Sequence, residues 1–161
     1  MMYFAYVYPF ITYCLSIWGG AANVHVNKVM VLQKAAIRIL LGLSMRAHVQ
    51  SSPDVLLFHE LYTISLALFV FRNFACKCNL GLFENEGYVL LSNMRLNRKG
   101  TRGESSCNYF LPYVRTSLRK SSVVHKSVIV WNSLPGVIRT IHSVSLFRSQ
   151  LHEHVLCNCN Q

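Results

Sequence analysis

The first 24 residues of the chain contain no charged side chain. A helix that spans a membrane needs about 20 apolar residues, so this stretch is long enough either to cross a bilayer or to be buried against protein. Pro9, Thr12, Ser16 and tyrosines at positions 3, 6, 8 and 13 make it more polar than a bilayer centre favours. The stretch therefore predicts a buried helix that packs on further protein, with a membrane anchor as the alternative.

Residues 23 to 43 follow the period of an amphipathic helix. Asn23 is suited to cap its start, and Gly42 lies near its end. Lys34 and Arg38 lie one turn apart on the same side as Asn27. The other side is apolar and is expected to pack into the protein; it holds Val29, Leu32, Ala36, Ile39 and Leu40.

Further helices are predicted on both sides of a long loop. Ser52 and Pro53 are typical of a helix start and precede an apolar series that begins at Val55. A second apolar run, from Ile64 to Phe74, is a candidate for a separate helix. Glycines and asparagines between residues 80 and 108 indicate a loop.

The C-terminal third is predicted to be helical as well. Residues 121 to 132 are rich in valine and isoleucine, which also suits a strand, but the Leu134-Pro135 stop after Trp131 favours a helix. Val144, Phe147, Leu151 and Val155 recur at helical spacing within a last helix over residues 143 to 156. The predicted fold class is mainly α: a small helical domain of about five helices with a long basic loop.

An excess of basic residues points to an anionic partner. The 161 residues include 16 lysines and arginines against 6 acidic residues, a formal net charge of +10. This balance favours nucleic acid or an anionic lipid surface. Eight of the basic residues lie between Arg95 and Lys126, where Glu104 is the only acid. The candidate nucleic-acid-binding residues are Lys34, Arg38, Arg98, Lys99, Arg102, Arg115, Arg119 and Lys120; the alternative is a merely solvated surface.

The acidic residues argue against catalysis. Asp54 is the only aspartate, and no two acids form an Asp-Asp pair. Phosphoryl transfer with two metal ions needs converging carboxylates, because hard divalent cations take anionic oxygen ligands. Neither a glycine-rich phosphate loop nor a His-Glu-x-x-His motif occurs. We therefore assign no catalytic residue, no metal ligand and no cofactor, and expect no catalytic activity from this chain alone.

Cysteine and histidine pairs raise a zinc site as a minor alternative. Cys76/Cys78 and Cys157/Cys159 are Cys-x-Cys pairs, the second of them close to His152 and His154. Structural zinc sites usually separate paired cysteines by two to four residues, so reduced thiols without a metal are the expectation. Because no basic secretory leader is evident, we expect an intracellular location, in the cytoplasm or nucleus.

Three sequence blocks follow one another in a specific order. The first contains YPFITYC from Tyr8, then Trp18-Gly19; the second is LQKAAIRIL over residues 32 to 40. The third contains Leu111-Pro112, Arg115-Thr116, Ser121-Ser122, Trp131-Asn132-Ser133-Leu134-Pro135 and an Ile138, Phe147, Leu151 series. In this order they resemble the region after the palm domain in reverse transcriptases of non-LTR retrotransposons, the jockey-like and related LINE elements. The family's Tyr-x-Asp-Asp motif is absent, and Ser127-Val128 stand where the family often has Gly-Pro.

The resemblance implies the C-terminal part of an RNA-directed DNA polymerase, a nucleotidyltransferase, in the thumb and the region after it. Its expected segments are a helical thumb-like part over residues 1–79, a basic loop over 80–108 and a family-like tail over 109–161. The implied partners are RNA or an RNA–DNA duplex, held by the backbone, and the missing palm and fingers of the same polyprotein. Tyr109 and Tyr113 are candidates for stacking on bases, whereas Trp131 is expected in the core.

Two other interpretations stay open. One is a small basic membrane-associated protein built on the uncharged first 24 residues, although association with a membrane is the less favoured reading. The other is a non-functional remnant of a truncated element, favoured by Met1-Met2 directly before a family-like block.

Overall fold

The computed structural model describes residues 2–49, 55–75, 109, 111 and 113–159, and these are mainly helical, which confirms the predicted fold class. The helices before the long gap are α1 (Met2–Tyr6), α2 (Tyr8–Thr12), α3 (Leu15–Trp18), α4 (Asn23–Leu40) and α5 (Phe58–Val70), which continues into a π-helical turn (Phe71–Ala75). After the gap come α6 (Ser117–Lys120), α7 (Val123–Ser133), α8 (Gly136–Arg139) and α9 (Val144–Cys159).

Helix α5 is the centre of the main core. Its sequence, FHELYTISLALFV, is apolar around almost the whole circumference, so the helix is surrounded by other elements. Helices α3, α7 and α9 all pack against it. The predicted start at Ser52-Pro53 lies outside the described residues, but Val55 to Leu57 are not helical, so the helix begins later than expected. The run from Ile64 continues this same helix, and the prediction of a separate helix is wrong.

An aromatic stack joins α5 to the C-terminal helices. The rings of Phe71 and Phe147 are stacked with centroids 4.1 Å apart, and Trp131 stacks on Phe147 at 5.9 Å. Trp131 is 1% exposed, and Leu134 and Ile138 after it are buried too. The expectation that Trp131 lies in the core is confirmed, and Leu134, Ile138 and Phe147 of the same family-like block are packing residues with it. Also confirmed are the helical assignment of α7 and the helical spacing of Phe147, Leu151 and Val155 in α9.

The N-terminal stretch forms three short helices rather than the single buried helix that was expected. Pro9 lies in the first turn of α2, where its missing N–H is tolerated. Cys14 then adopts a left-handed conformation with φ of 49°, which ends the helical path before α3 begins. Tyr3, Ile11 and Leu15 are buried, but Phe10 remains 79% exposed.

Within the described ranges, no helix has both the length and the apolar character needed to cross a membrane.

Helix α4 turns a different side to the protein than its sequence suggested. The buried residues are Val26, Gln33 and Ile37, whereas Leu32 and Ile39, expected to be inside, are 70% and 69% exposed. Gln33 is buried because its Nε2 donates to the Tyr3 hydroxyl at 2.8 Å and to the Leu56 carbonyl at 3.0 Å. A polar residue can thus occupy the inner side of the helix. Of the residues expected inside, Val29 still packs partly buried against the core, whereas Leu32 and Ile39 are left outside.

The ends of α4 also differ in part from the prediction. Ala22, not Asn23, precedes the first turn, and Asn23 makes no capping hydrogen bond. At the other end Gly42 has φ of +64°, and its N–H donates to the Ile39 carbonyl while that of Leu43 donates to the Arg38 carbonyl. This pair of bonds is the Schellman arrangement, in which a left-handed glycine closes the helix. The expected end near Gly42 is confirmed.

Candidate nucleic-acid interface

Residues 113 to 120 form a mostly exposed segment that we call the basic ridge. Val114 is its one buried residue, and the other seven are exposed. Arg115, Arg119 and Lys120 are among the exposed ones, as predicted for residues that would contact a phosphate backbone. Because Val114 packs inward, the residues on both sides of it are displayed on the surface.

Serine hydroxyls fix the turn that ends the ridge. Ser121 Oγ donates to the Leu118 carbonyl and Ser122 Oγ donates to the Arg119 carbonyl, both at 2.7 Å. The same Ser122 oxygen accepts from the His125 N–H at 3.4 Å and so caps α7. The Ser121-Ser122 pair therefore connects α6, which carries Arg119 and Lys120, to a helix of the core.

Two glycines after α3 give the ridge a close-fitting support. A Cβ atom on Gly20 would overlap the carbonyl oxygen of Ser121 and lie 3.1 Å from the Tyr62 hydroxyl oxygen. A Cβ atom on Gly19 would overlap the Tyr62 ring. Only residues without a side chain allow this loop to approach both α5 and the turn after the ridge.

Lys126 is a basic residue at this junction that we did not select from the sequence. Its ammonium lies 5.5 Å from the centroid of the Tyr62 ring, a cation–π geometry. Lys126 follows Ser122 by one helical turn on α7, so the spacing Ser122-x-x-x-Lys126 was the signal that places it close to the capped turn. Its contact with α5 makes it a neighbour of the Gly19-Gly20 support.

The three aromatic candidates have different surroundings. Tyr113 is 91% exposed on the ridge and can stack on a base. Tyr109 instead packs on the buried Trp131 ring, with centroids 5.9 Å apart. Asn132 holds Tyr109 with two backbone hydrogen bonds of 2.9 Å, one donated and one accepted by its side-chain amide. Trp131 and Tyr109 therefore belong to the packing, and Tyr113 is the exposed ring.

The other predicted basic residues are not joined to the ridge. Lys34 and Arg38 lie half-buried on α4, which packs mainly against α1 and α5, whereas α6 packs against α7. The Arg38 Nε donates to the Ala47 carbonyl at 2.8 Å, so this guanidinium also holds the loop after α4. Arg98, Lys99 and Arg102 lie outside the described residues.

The ridge lies in a long stretch of sequence without acids. From Ser105 to His152 there is no aspartate or glutamate. The acids within the described part of the chain are Glu60 on α5 and Glu153 on α9. The positive field of the ridge is therefore not neutralised by acids close to it in sequence.

The thiols and imidazoles do not form a recognisable metal site in the described part of the chain. There, no group of three or more histidine, cysteine or acidic side chains is arranged to hold a metal ion. Cys14 and Cys157 are free and exposed. Cys76 and Cys78 lie outside the described residues, as does the Cys159 side chain.

A second exposed feature is apolar and lies in the first 45 residues. Phe10 and Tyr13 project from α2 and the turn after it, and Leu32 and Ile39 from the outer side of α4. The remaining exposed apolar residues of this region are Met2, Phe4, Tyr6, Ile17, Val24, Val31, Leu40, Leu41, Leu43 and Met45. We call this set the apolar N-terminal surface. Such a concentration of exposed large apolar side chains within 45 residues makes this region a candidate for contact with another protein or a membrane.

Comparison with protein-family models, with curated proteins and with solved structures found no match for this chain.

Proposed function

We propose that this chain is the C-terminal, nucleic-acid-contacting part of a transposon-encoded RNA-directed DNA polymerase. In this role it holds a template–primer duplex by its phosphate backbone and leaves nucleotide addition to the palm domain of the same polyprotein. The proposal combines the ordered sequence blocks with the surface chemistry of the described residues.

The observation that carries the proposal is the basic ridge. Arg115, Arg119 and Lys120 are exposed together on a segment that is fixed at one end by Val114 and at the other by the Ser121-Ser122 turn. Contacts with a phosphate backbone need positive side chains but no sequence-reading arrangement, so a ridge of this kind suits binding without sequence preference. Tyr113 adds an exposed ring that can stack on an unpaired base.

The apolar N-terminal surface supports the second half of the proposal, contact with the palm and fingers. This surface includes Phe10, Tyr13 and Ile39, and burying its apolar area against protein would be favourable by about 25 cal/mol for each Å² removed from water. A polymerase domain that precedes this chain would cover such a surface. The uncharged character of residues 1 to 24 agrees with a buried position in the complete polyprotein.

Binding of a fluorescent RNA–DNA duplex by the purified chain tests the ridge. The double variant Arg115→Gln/Arg119→Gln removes two positive charges from exposed positions. If each arginine makes one phosphate contact, the negative slope of log K against log salt should become shallower by about 1.4 to 1.8. The melting temperature should stay within the error of the parent, because neither side chain is buried.

The control is Lys28→Gln/Arg46→Gln, which removes the same charge from exposed positions on and after α4. This variant should keep nearly the parent affinity and slope. An equal loss in both double variants would mean that only net charge attracts the duplex, and the ridge would not be the site. Affinity that does not depend on salt would contradict the electrostatic account altogether.

A further inference from the structure

A cleft lies between the π-helical turn after α5 and the beginning of α9. Its volume is about 830 Å³. Two arginines from these two elements line it, Arg72 and Arg148. The other described residues that line it are Ser143, Val144, Ser145, Ser149, His152 and Glu153. The cleft shares no residue with the basic ridge, so its function does not depend on that of the ridge.

The core fixes the positions of the two arginines. Arg72 directly follows Phe71, and Arg148 directly follows Phe147. These two phenylalanines are fully buried and stacked on each other with centroids 4.1 Å apart. The stack holds the backbone of the π-helical turn against that of α9, and each of these two segments then presents an exposed arginine to the same cleft. The pair is a product of the packing and not of two independent flexible loops.

Two guanidiniums that share a cleft repel each other unless an anion lies between them. Glu153 lines the same cleft, but within the described residues it forms no ion pair with Arg72 or Arg148. Five residues at about 1.5 Å each place it about 7.5 Å further along the axis of α9 than Arg148. Among the described residues, no acidic side chain is paired with either arginine, so this end of the cleft carries positive charge.

The same end of the cleft offers hydroxyl donors. Ser143 and Ser145 have their Oγ atoms 3.0 Å apart, and Ser149 lies one turn after Ser145 on α9. A phosphate monoester carries a charge of about −2 at neutral pH and has three strong acceptor oxygens. Two guanidinium forks and several hydroxyls match both its charge and its number of acceptors, because arginine binds phosphate with two parallel hydrogen bonds.

We propose that the Arg72–Arg148 cleft binds a single terminal phosphate group, either free phosphate or the phosphate of a monoester. In the bound state each guanidinium donates to phosphate oxygens, and the serine hydroxyls donate to the oxygens that remain.

Calorimetric titration of the full chain with inorganic phosphate tests this site. We expect saturable binding with a Kd of about 1 mM or tighter. Arg148→Lys keeps the charge but removes the fork, so it should weaken phosphate binding by about tenfold, as the loss of a charge-assisted hydrogen bond does. Arg46→Lys, at an exposed position after α4 and outside both the cleft and the basic ridge, is the matched control and should bind phosphate as the parent does. Arg148 and the control arginine are both exposed, so the two variants should melt at the parent temperature. If Arg148→Lys melts at a lower temperature, Arg72→Lys is used in its place to remove a fork from the same cleft.

A pair of oligonucleotides of one sequence, with a 5′-phosphate or a 5′-hydroxyl, identifies the source of the phosphate. Tighter binding of the phosphorylated strand by the parent, but not by Arg72→Gln, assigns the cleft to a nucleic-acid end. Equal binding of both strands, together with saturable inorganic phosphate, assigns it to a free phosphate or a small ester. The proposal is overturned if inorganic phosphate shows no saturation, or if Arg148→Lys binds it as well as the parent. An equal loss in Arg46→Lys overturns it too, and none of these results bears on duplex binding by the ridge.

Discussion

Two buried tyrosines in this protein differ in whether their hydroxyl groups are hydrogen-bonded. The Tyr3 hydroxyl accepts a hydrogen bond from Gln33 at 2.8 Å and thereby ties α1 to α4. The Tyr62 hydroxyl is enclosed close to the Gly20 backbone, and among the described residues it has no hydrogen-bond partner. A buried polar group without a partner keeps its full desolvation penalty, so the two hydroxyls should contribute to stability with opposite signs.

We expect Tyr62→Phe to raise the free energy of unfolding and Tyr3→Phe to lower it by about 0.5 to 1.5 kcal/mol. Phenylalanine keeps the ring beneath Lys126 and removes only the hydroxyl. Chemical denaturation of the two variants beside the parent measures both signs. A loss of stability in Tyr62→Phe equal to that in Tyr3→Phe would show that the Tyr62 hydroxyl does have a partner in solution.

The burial of Tyr62 also predicts that the stability of the fold depends on pH. Burial raises the pKa of Tyr62 above its ordinary value of 10.0, so the folded chain holds this proton more tightly than the unfolded chain does. Stability is then fully present below about pH 10 and falls as the pH rises towards the folded pKa, because the unfolded chain ionises first. Tyr62→Phe should flatten the decrease in melting temperature above pH 10. An unchanged decrease would mean that Tyr62 does not contribute to it.

Trp131 is the residue whose burial the sequence predicted most directly. Trp131→Ala should lower the free energy of unfolding by about 3 to 5 kcal/mol, because it leaves a cavity beside Phe147 and Tyr109. That loss is a large part of the stability of a typical domain, about 5 to 15 kcal/mol. Ile129→Ala, two positions earlier on the exposed side of α7, is the control and should change the melting temperature little. Similar melting temperatures for both variants would contradict the central place of Trp131.

Sequence reasoning succeeded where one side of an element is plainly apolar. Phe147 and Leu151 could be placed on one side of a helix because their spacing fits the helical period, and the large aromatic Trp131 was expected in the core. Gln33 could not be placed there, since its burial depends on Tyr3 and Leu56, partners 30 and 23 residues away. No local pattern contains that information.

At the scale of elements, α4 shows that a helical period can correctly predict a helix and still not identify which of its sides is buried. Apolar residues occur on both of its sides, so the period fits a helix with Val26 and Ile37 inside as well as one with Leu32 and Ile39 inside. Tertiary contacts with α1 and α5 selected the first. The position of the basic ridge was likewise unpredictable in part, because its support comes from glycines about 100 residues earlier in the chain.

That support can be tested with Gly20→Ala. The added methyl group would overlap the Ser121 carbonyl oxygen, a backbone atom that cannot move without displacing the ridge. We expect a loss of about 1 to 3 kcal/mol, as for other overpacked positions, and weaker binding of an RNA–DNA duplex. Both effects are measured on one preparation, by thermal melting and by fluorescence anisotropy.

Gly136→Ala is the matched control, since among the described residues no atom lies within 4 Å of a Cβ built there, chain neighbours aside. It begins α8, where alanine is the better helix former, so its stability should be equal to that of the parent or up to about 1 kcal/mol higher. If Gly20→Ala were as stable as Gly136→Ala, the close approach of the two loops would not exist in solution.

At the scale of the whole molecule, the described residues on both sides of the long gap share one core. Phe58, Leu66 and Phe71 come from the first part of the chain, and Trp131, Phe147 and Leu151 from the last. The basic ridge and the apolar N-terminal surface are both built outward from this core. Binding of the proposed duplex to the basic ridge and of the proposed partner domain to the apolar N-terminal surface is therefore compatible with a single folded state.

Because nucleotide addition is assigned to the palm domain, we predict that the isolated chain has no polymerase activity. Nucleotide addition by two metal ions needs several converging carboxylates, usually aspartates, and a sequence with one aspartate and five glutamates has no Asp-Asp pair to provide them. Incorporation of a labelled nucleotide on a primed RNA template, with Mg²⁺ or Mn²⁺, should equal that of a reaction without protein. Asp54→Asn separates the two explanations of any signal above that level. A signal that persists in this variant comes from a contaminating polymerase, whereas a signal that disappears would show that the chain builds a catalytic centre around Asp54 and would overturn the proposed role.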